Sequence, residues 1–185
     1  AARWYRLAAE QGDANAQSYL GFMYANGVGI SEDDAEAVRW YRLAAEQGDA
    51  SAQFNLGAMY ATGQGVPEDD AEAVRWYRLA ADQEYAVAQY NLAIMYVLGE
   101  GVPEDYAEAG RWYRLAADQG HAVAQYNLGL MYANGDGVPE DDAEAVRWYR
   151  LAAEQGLAEA QSKLGLMYHY GEGVPEDHVL AYMWY

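Results

Sequence analysis

His121, His169 and His178 are the only histidines in this 185-residue chain, and none of them recurs at a regular interval. His169 and His178 flank one glycine-rich loop, so their imidazoles can approach each other. Two imidazoles without a third ligand fall short of the three or four protein ligands of catalytic and structural zinc sites; no metal is expected, and no cofactor is implied. The chain has no cysteine, which excludes disulfides, thiolate metal sites and cysteine nucleophiles and leaves the redox compartment open. Its few serines lie in no nucleophile-elbow motif. Gly63-Gln64-Gly65 and its copies lack the Lys-Ser/Thr of a phosphate loop, and acids crowd the helix start that follows. That segment is a turn. The acidic stretches Pro67-Glu68-Asp69-Asp70, Pro103-Glu104-Asp105 and Pro139-Glu140-Asp141-Asp142 show no EF-hand ligand pattern; capping and helix-dipole compensation account for most of these acids. The residues point away from an enzyme.

The overall charge narrows the partners. Acids outnumber bases 29 to 11, for a net charge of −18, which opposes the phosphate neutralisation that nucleic-acid binding requires. No apolar run approaches the length of a membrane span. Ten of the eleven basic residues are arginines paired in the motif Arg-Trp-Tyr-Arg. Glu36 with Arg39 and Arg42 with Glu46 stand at i,i+3 and i,i+4, the spacing of a salt-bridge lattice on a helix surface.

The elements that carry these residues are copies of one another. Trp4, Trp40, Trp76, Trp112, Trp148 and Trp184 recur every 36 residues. A period of this size marks stacked supersecondary units. Within one unit, Ala52, Leu56 and Tyr60 lie on one face of a first helix. Gly63, Gly65 and Pro67 interrupt it, and Ala73, Trp76, Tyr77 and Ala80 form the apolar side of a second helix. Asp69 with Glu72 reads as a capping box at the start of the second helix, repeated at Asp33/Glu36, Asp105/Glu108 and Asp141/Glu144. Gly48, Gly120 and Gly156 supply left-handed C′ stops. The sequence thus reads as a single array over 1–185: a leading partial helix at 1–12, then units at about 13–48, 49–84, 85–120, 121–156 and a truncated 157–185. It begins and ends in mid-unit and reads as a fragment of something longer.

The run Ala52-Gln53-x-x-Leu56-Gly57-x-Met59-Tyr60-x-x-Gly63-x-Gly65-Val66, followed by Ala71-x-Ala73-x-x-Trp76-Tyr77-x-x-Ala80-Ala81, closely resembles the Sel-1-like repeat family, relatives of the tetratricopeptide repeat. The resemblance covers essentially the whole chain. It implies an all-α fold, a right-handed α/α superhelical solenoid whose first helices line a concave face. It also implies an adaptor or scaffold role, as in bacterial signalling, host interaction or protein quality control. The lack of cysteine sets the chain apart from the family's cysteine-rich secreted members. Val179-Leu180-Ala181-Tyr182-Met183-Trp184 departs from the usual Ala-Glu-Ala-Val-Arg-Trp, and its apolar character suits packing against a further terminal element.

Differences among the copies locate a face. The second helix is almost constant. In the first helix, positions 52, 53, 56, 57, 59 and 60 hardly change, whereas 51, 54, 55, 58, 61 and 62 do. At 100° per residue the variable set lies opposite Leu56 and Tyr60. This diversified side carries Tyr19 and Phe22 in the first unit and Phe54 and Asn55 in the second. Tyr90, Asn91 and Ile94 follow in the third, and Tyr126, Asn127 and Leu130 in the fourth. Aromatic area beside amide groups suits a peptide groove; packing between neighbouring first helices would also account for it. The expected contact set is Phe54, Asn55, Tyr90, Asn91, Ile94, Tyr126, Asn127 and Leu130, with the aromatics as anchors and the asparagines pairing with partner backbone.

The reading is a protein-interaction scaffold that holds a segment of a protein or peptide partner on its first-helix face. The alternative is self-association through the ends of the repeat array. Carbohydrate binding and catalysis have the least support. Near-identical copies resemble bacterial members; cytoplasmic, periplasmic and secreted locations all stay open.

Overall fold

In a computed structural model, which describes residues 2–184, the chain is all-helical, with eleven helices and no strand among the described residues. Its packing divides it into two compact units, Ala1–Met95 with Gly99–Pro103, and Tyr96–Leu98 with Glu104–Tyr185. The first unit holds α1 (Ala2–Glu10), α2 (Ala14–Asn26), α3 (Asp34–Glu46), α4 (Ala50–Thr62), α5 (Asp70–Ala81) and most of α6 (Ala86–Leu98). The second holds the last turn of α6, α7 (Tyr106–Asp118), α8 (Ala122–Asn134), α9 (Asp142–Glu154), α10 (Ala158–Tyr170) and α11 (His178–Trp184). The even-numbered helices are the first helices of the pairs.

Helices α3, α5, α7, α9 and α11 each start where an aspartate caps them. Asp33 and Asp69 accept a hydrogen bond from the backbone N–H three residues on, at 3.0 Å in both cases. The reciprocal half of the expected capping box does not form. The N–H of Asp33 and of Asp69 is already spent on the carbonyls of Tyr24 and Tyr60, at 3.0 Å each. Glu36 and Glu72 therefore turn outward and pair with Arg39 and Arg75 at 2.8 and 2.9 Å. The next arginine departs from expectation as well: Arg42 donates to the Tyr60 hydroxyl at 2.7 Å, and no ion pair with Glu46 is present among the described residues.

The core is assembled by tryptophan insertion. In the first unit, Trp40 packs with Ala9, Ala16, Leu20 and Met23, and Trp76 repeats the arrangement with Ala52, Leu56 and Met59. Each tryptophan thus closes the helix pair that precedes it, which ties a unit's core to its neighbour. In the second unit, Ala145, Tyr149, Leu164 and Met167 form the corresponding cluster, with Trp184 packed against it. Gln53 is buried among these apolar groups, with its polar ends matched. Its Nε2 donates to the Ala45 carbonyl at 3.1 Å, and its Oε1 accepts from Gln83 Nε2 at 2.7 Å. Gln125, with Ala117 and Gln155, repeats the device in the second unit.

Candidate interaction surface

Burial of Leu20 and Leu56 fixes how each first helix is turned, because both side chains have no exposed surface. The opposite side of the helix must then face outward. In the first unit this leaves a groove where α2 and α4 lie side by side, lined by Ser18, Tyr19, Phe22, Asp49, Ser51 and Asn55. Tyr19 and Phe22 are each 42% exposed, and their rings lie 5.9 Å apart. Asp49 forms the polar wall. Its Oδ1 accepts from the Ala52 N–H at 2.7 Å and from Ser18 Oγ at 3.1 Å, so its carboxylate is held in place. No charged side chain lies within α2, α4 or α6. The groove therefore has an aromatic floor, amide and hydroxyl edges and an acidic rim.

The eight residues expected from the sequence are all half-buried. In the first unit, Phe54 lies between Tyr77 and Tyr85, with ring centroids 5.7 and 5.6 Å away. Asn55 on the same helix lines the groove. On α6, burial pushes the Tyr90 phenol above its ordinary pKa. Asn91 donates from Nδ2 to the Val87 carbonyl at 2.8 Å. Ile94 is half-buried on that helix, while Val87 and Leu98 beside it are open, Leu98 at 57%.

In the second unit, Tyr126 and Leu130 pack against the core cluster, and the Tyr126 ring lies 5.7 Å from Tyr149. Burial, reinforced by the charge of Glu159, raises the Tyr126 pKa. Asn127 is half-buried on the same helix. Of the eight, Asn55 lines the groove, whereas Phe54, Tyr126 and Leu130 pack against neighbouring side chains. Tyr19 and Phe22 are the more open aromatics, and Ser18, Asp49 and Ser51 complete their groove. The variable first-helix positions carried the signal for Tyr19 and Phe22. Asp49 carried none, because an aspartate before a helix reads first as a cap.

The model of the Sel1 repeat matches residues 1–13, 14–49, 50–85, 86–121, 122–157 and 158–185. The chain belongs to the Sel1 repeat family. Its fold is the all-α solenoid of that family. A protective antigen of uropathogenic Escherichia coli strains with this fold is 43% identical over 98% of the chain, at a TM-score of 0.97. The chain spans 39% of that antigen's length. A Sel1 repeat protein from Oxalobacter formigenes is 42% identical, with a TM-score of 0.91, over 95% of this chain and 72% of its own. Helicobacter pylori cysteine-rich protein B, 19% identical over 73% of this chain and 97% of its own, shares the fold at a TM-score of 0.56. No curated protein sequence matches the chain.

Proposed function

We propose that this Sel1 repeat chain is a protein-interaction scaffold that holds a partner segment against the outward faces of its first helices. The observation that carries this reading is the groove across α2 and α4, where Tyr19 and Phe22 stand 42% exposed above a polar wall of Ser18, Asp49 and Asn55. Large apolar side chains held open beside fixed donors and acceptors provide both anchoring area and backbone recognition. The Sel1 repeat fold, commonly used for protein–protein interaction, supports the same reading. Phe54, Tyr90, Asn91 and Ile94 extend the surface within the first unit, and Tyr126, Asn127 and Leu130 supply the second unit's share.

The test compares partner capture by the wild type, by Tyr19→Ala/Phe22→Ala, and by Tyr126→Ala/Asn127→Ala, with helicity of each confirmed by circular dichroism. Loss of a captured protein in a folded variant supports the site. Equal capture by all three overturns it.

Self-association has its own observation: Trp4 is 75% exposed on α1, and Val179, Tyr182 and Met183 are 71–86% exposed on α11. Both helices, however, are second helices. Inside the first unit, α3 packs between two first helices, α2 and α4. Joining α1 of one copy to α11 of another would set two second helices together and break that alternation. A scattering mass that stays monomeric as concentration rises rejects this alternative.

A further inference from the structure

His169 and His178 occupy positions that the other four loops fill differently. There the corresponding pairs are Ala25 and Asp34, Ala61 and Asp70, Val97 and Tyr106, and Ala133 and Asp142. Both members become histidine in the same copy, and the structure brings the two rings together. Their centroids lie 5.1 Å apart with the planes tilted by 47°. With Ala181 and Tyr182 they line a shallow depression between the end of α10 and the start of α11.

We propose that His169 and His178 together bind one divalent transition ion of the zinc, nickel or copper type, clipping α11 to α10. Imidazole nitrogen is the ligand these ions favour, whereas magnesium and calcium require oxygen. The spacing fits. With metal–nitrogen bonds of about 2.0–2.1 Å and a near-tetrahedral angle, two imidazole centres sharing one ion lie roughly 5 Å apart. No group of three or more His, Cys, Asp or Glu side chains suited to a metal forms among the described residues, so this is a two-ligand site, with fewer protein ligands than structural and catalytic zinc sites, and water would complete it.

The surroundings orient both rings. Glu176 Oε1 lies 2.8 Å from His178 Nε2, which leaves Nδ1 as that ring's ligating nitrogen. A carboxylate behind a ligating histidine fixes its tautomer. Tyr170 meets the His169 ring edge-on, at 4.7 Å and 83°. The clip would act on a helix with little buried surface. Helix α11 has seven residues, of which Ala181 alone is fully buried among those described. A cross-link between its first residue and the last turn of α10 would hold it against fraying.

The experiment titrates untagged protein with zinc chloride in a calorimeter, with magnesium chloride as the control for diffuse attraction to the acidic surface. Amide exchange of α11 is followed in parallel. The variants His169→Ala and His178→Tyr take residues that other loops hold at these positions, as at Ala133 and Tyr106, so their folding is already tested by this chain's own copies. One saturable zinc site per chain, slower exchange in α11 and loss of both effects in either variant support the proposal. Glu176→Gln should weaken binding by about tenfold or more. Zinc binding that survives in His169→Ala and His178→Tyr, or that magnesium reproduces, overturns it, as does a zinc isotherm without a saturable site.

Discussion

At the scale of single residues, the copies act as controls for one another. Glu84 has a backbone φ of 62°, where Gly12, Gly48, Gly120 and Gly156 hold the same turn at φ 86–94°. The left-handed region costs a residue with a Cβ roughly 1–2 kcal/mol. Glycine avoids that strain but orders a more flexible chain, so Glu84→Gly should stabilise by the smaller part of it, about 0.5–1 kcal/mol. A urea melt gives the value; a lower midpoint in the variant refutes the argument. Buried tyrosines supply a second prediction. Burial raises the Tyr41 and Tyr77 phenols from 10.0 to about 12. An unfolded tyrosine releases its proton near the ordinary value, so between these limits the unfolded state binds fewer protons than the folded one. Stability is whole below pH 10 and is lost as pH climbs toward 12. Tyr41→Phe removes one such group and should flatten the fall in melting temperature across that window.

At the scale of the elements, most of the fold was legible in the sequence. Period, glycine stops and aspartate caps are local signals, and each one acts through its own few residues. What local signals could not show was competition for a backbone group. The Asp69–Glu72 spacing reads as a capping box, yet the Asp69 N–H bonds to the Tyr60 carbonyl of another helix. Arg42 met a side-chain competitor on another helix, drawn from Glu46 to the Tyr60 hydroxyl. The candidate surface was legible as a helix face, because variation and periodicity coincide there. The depth of Phe54 and Tyr126 was not, since it depends on how Tyr77, Tyr85 and Tyr149 pack over them.

Gly65 shows how tightly the loop is held. Its φ is +70°, and a Cβ there would sit 2.3 Å from the Asp34 carbonyl oxygen. Backbone cannot yield as a side-chain tip can, so Gly65→Ala combines left-handed strain with a clash and should cost at least ~2 kcal/mol. The thermal midpoint measures it, and an unchanged midpoint would mean that the loop shifts freely.

At the scale of the whole molecule, the net charge of −18 opposes compaction, and four exposed Arg–Glu pairs at 2.7–3.2 Å oppose that repulsion. Each such exposed helical pair contributes about 0.3–0.5 kcal/mol. Added salt screens both terms, but it acts on unequal totals. The excess acids far outnumber the pairs, and they stand on the loops and at the second-helix starts of every copy. Their mutual repulsion is spread over distances comparable to the Debye length, about 10 Å at 0.1 M salt. The melting temperature should therefore rise between 0.02 and 0.3 M sodium chloride, by about a few degrees. A fall would mean that the Arg–Glu lattice outweighs the excess charge. The same acidity bears on the groove: if its partner carries basic side chains beside Asp49, capture should weaken over the salt range that stabilises the fold. Opposite responses of stability and capture to one variable would separate the charge that recognises a partner from the charge that merely surrounds the core.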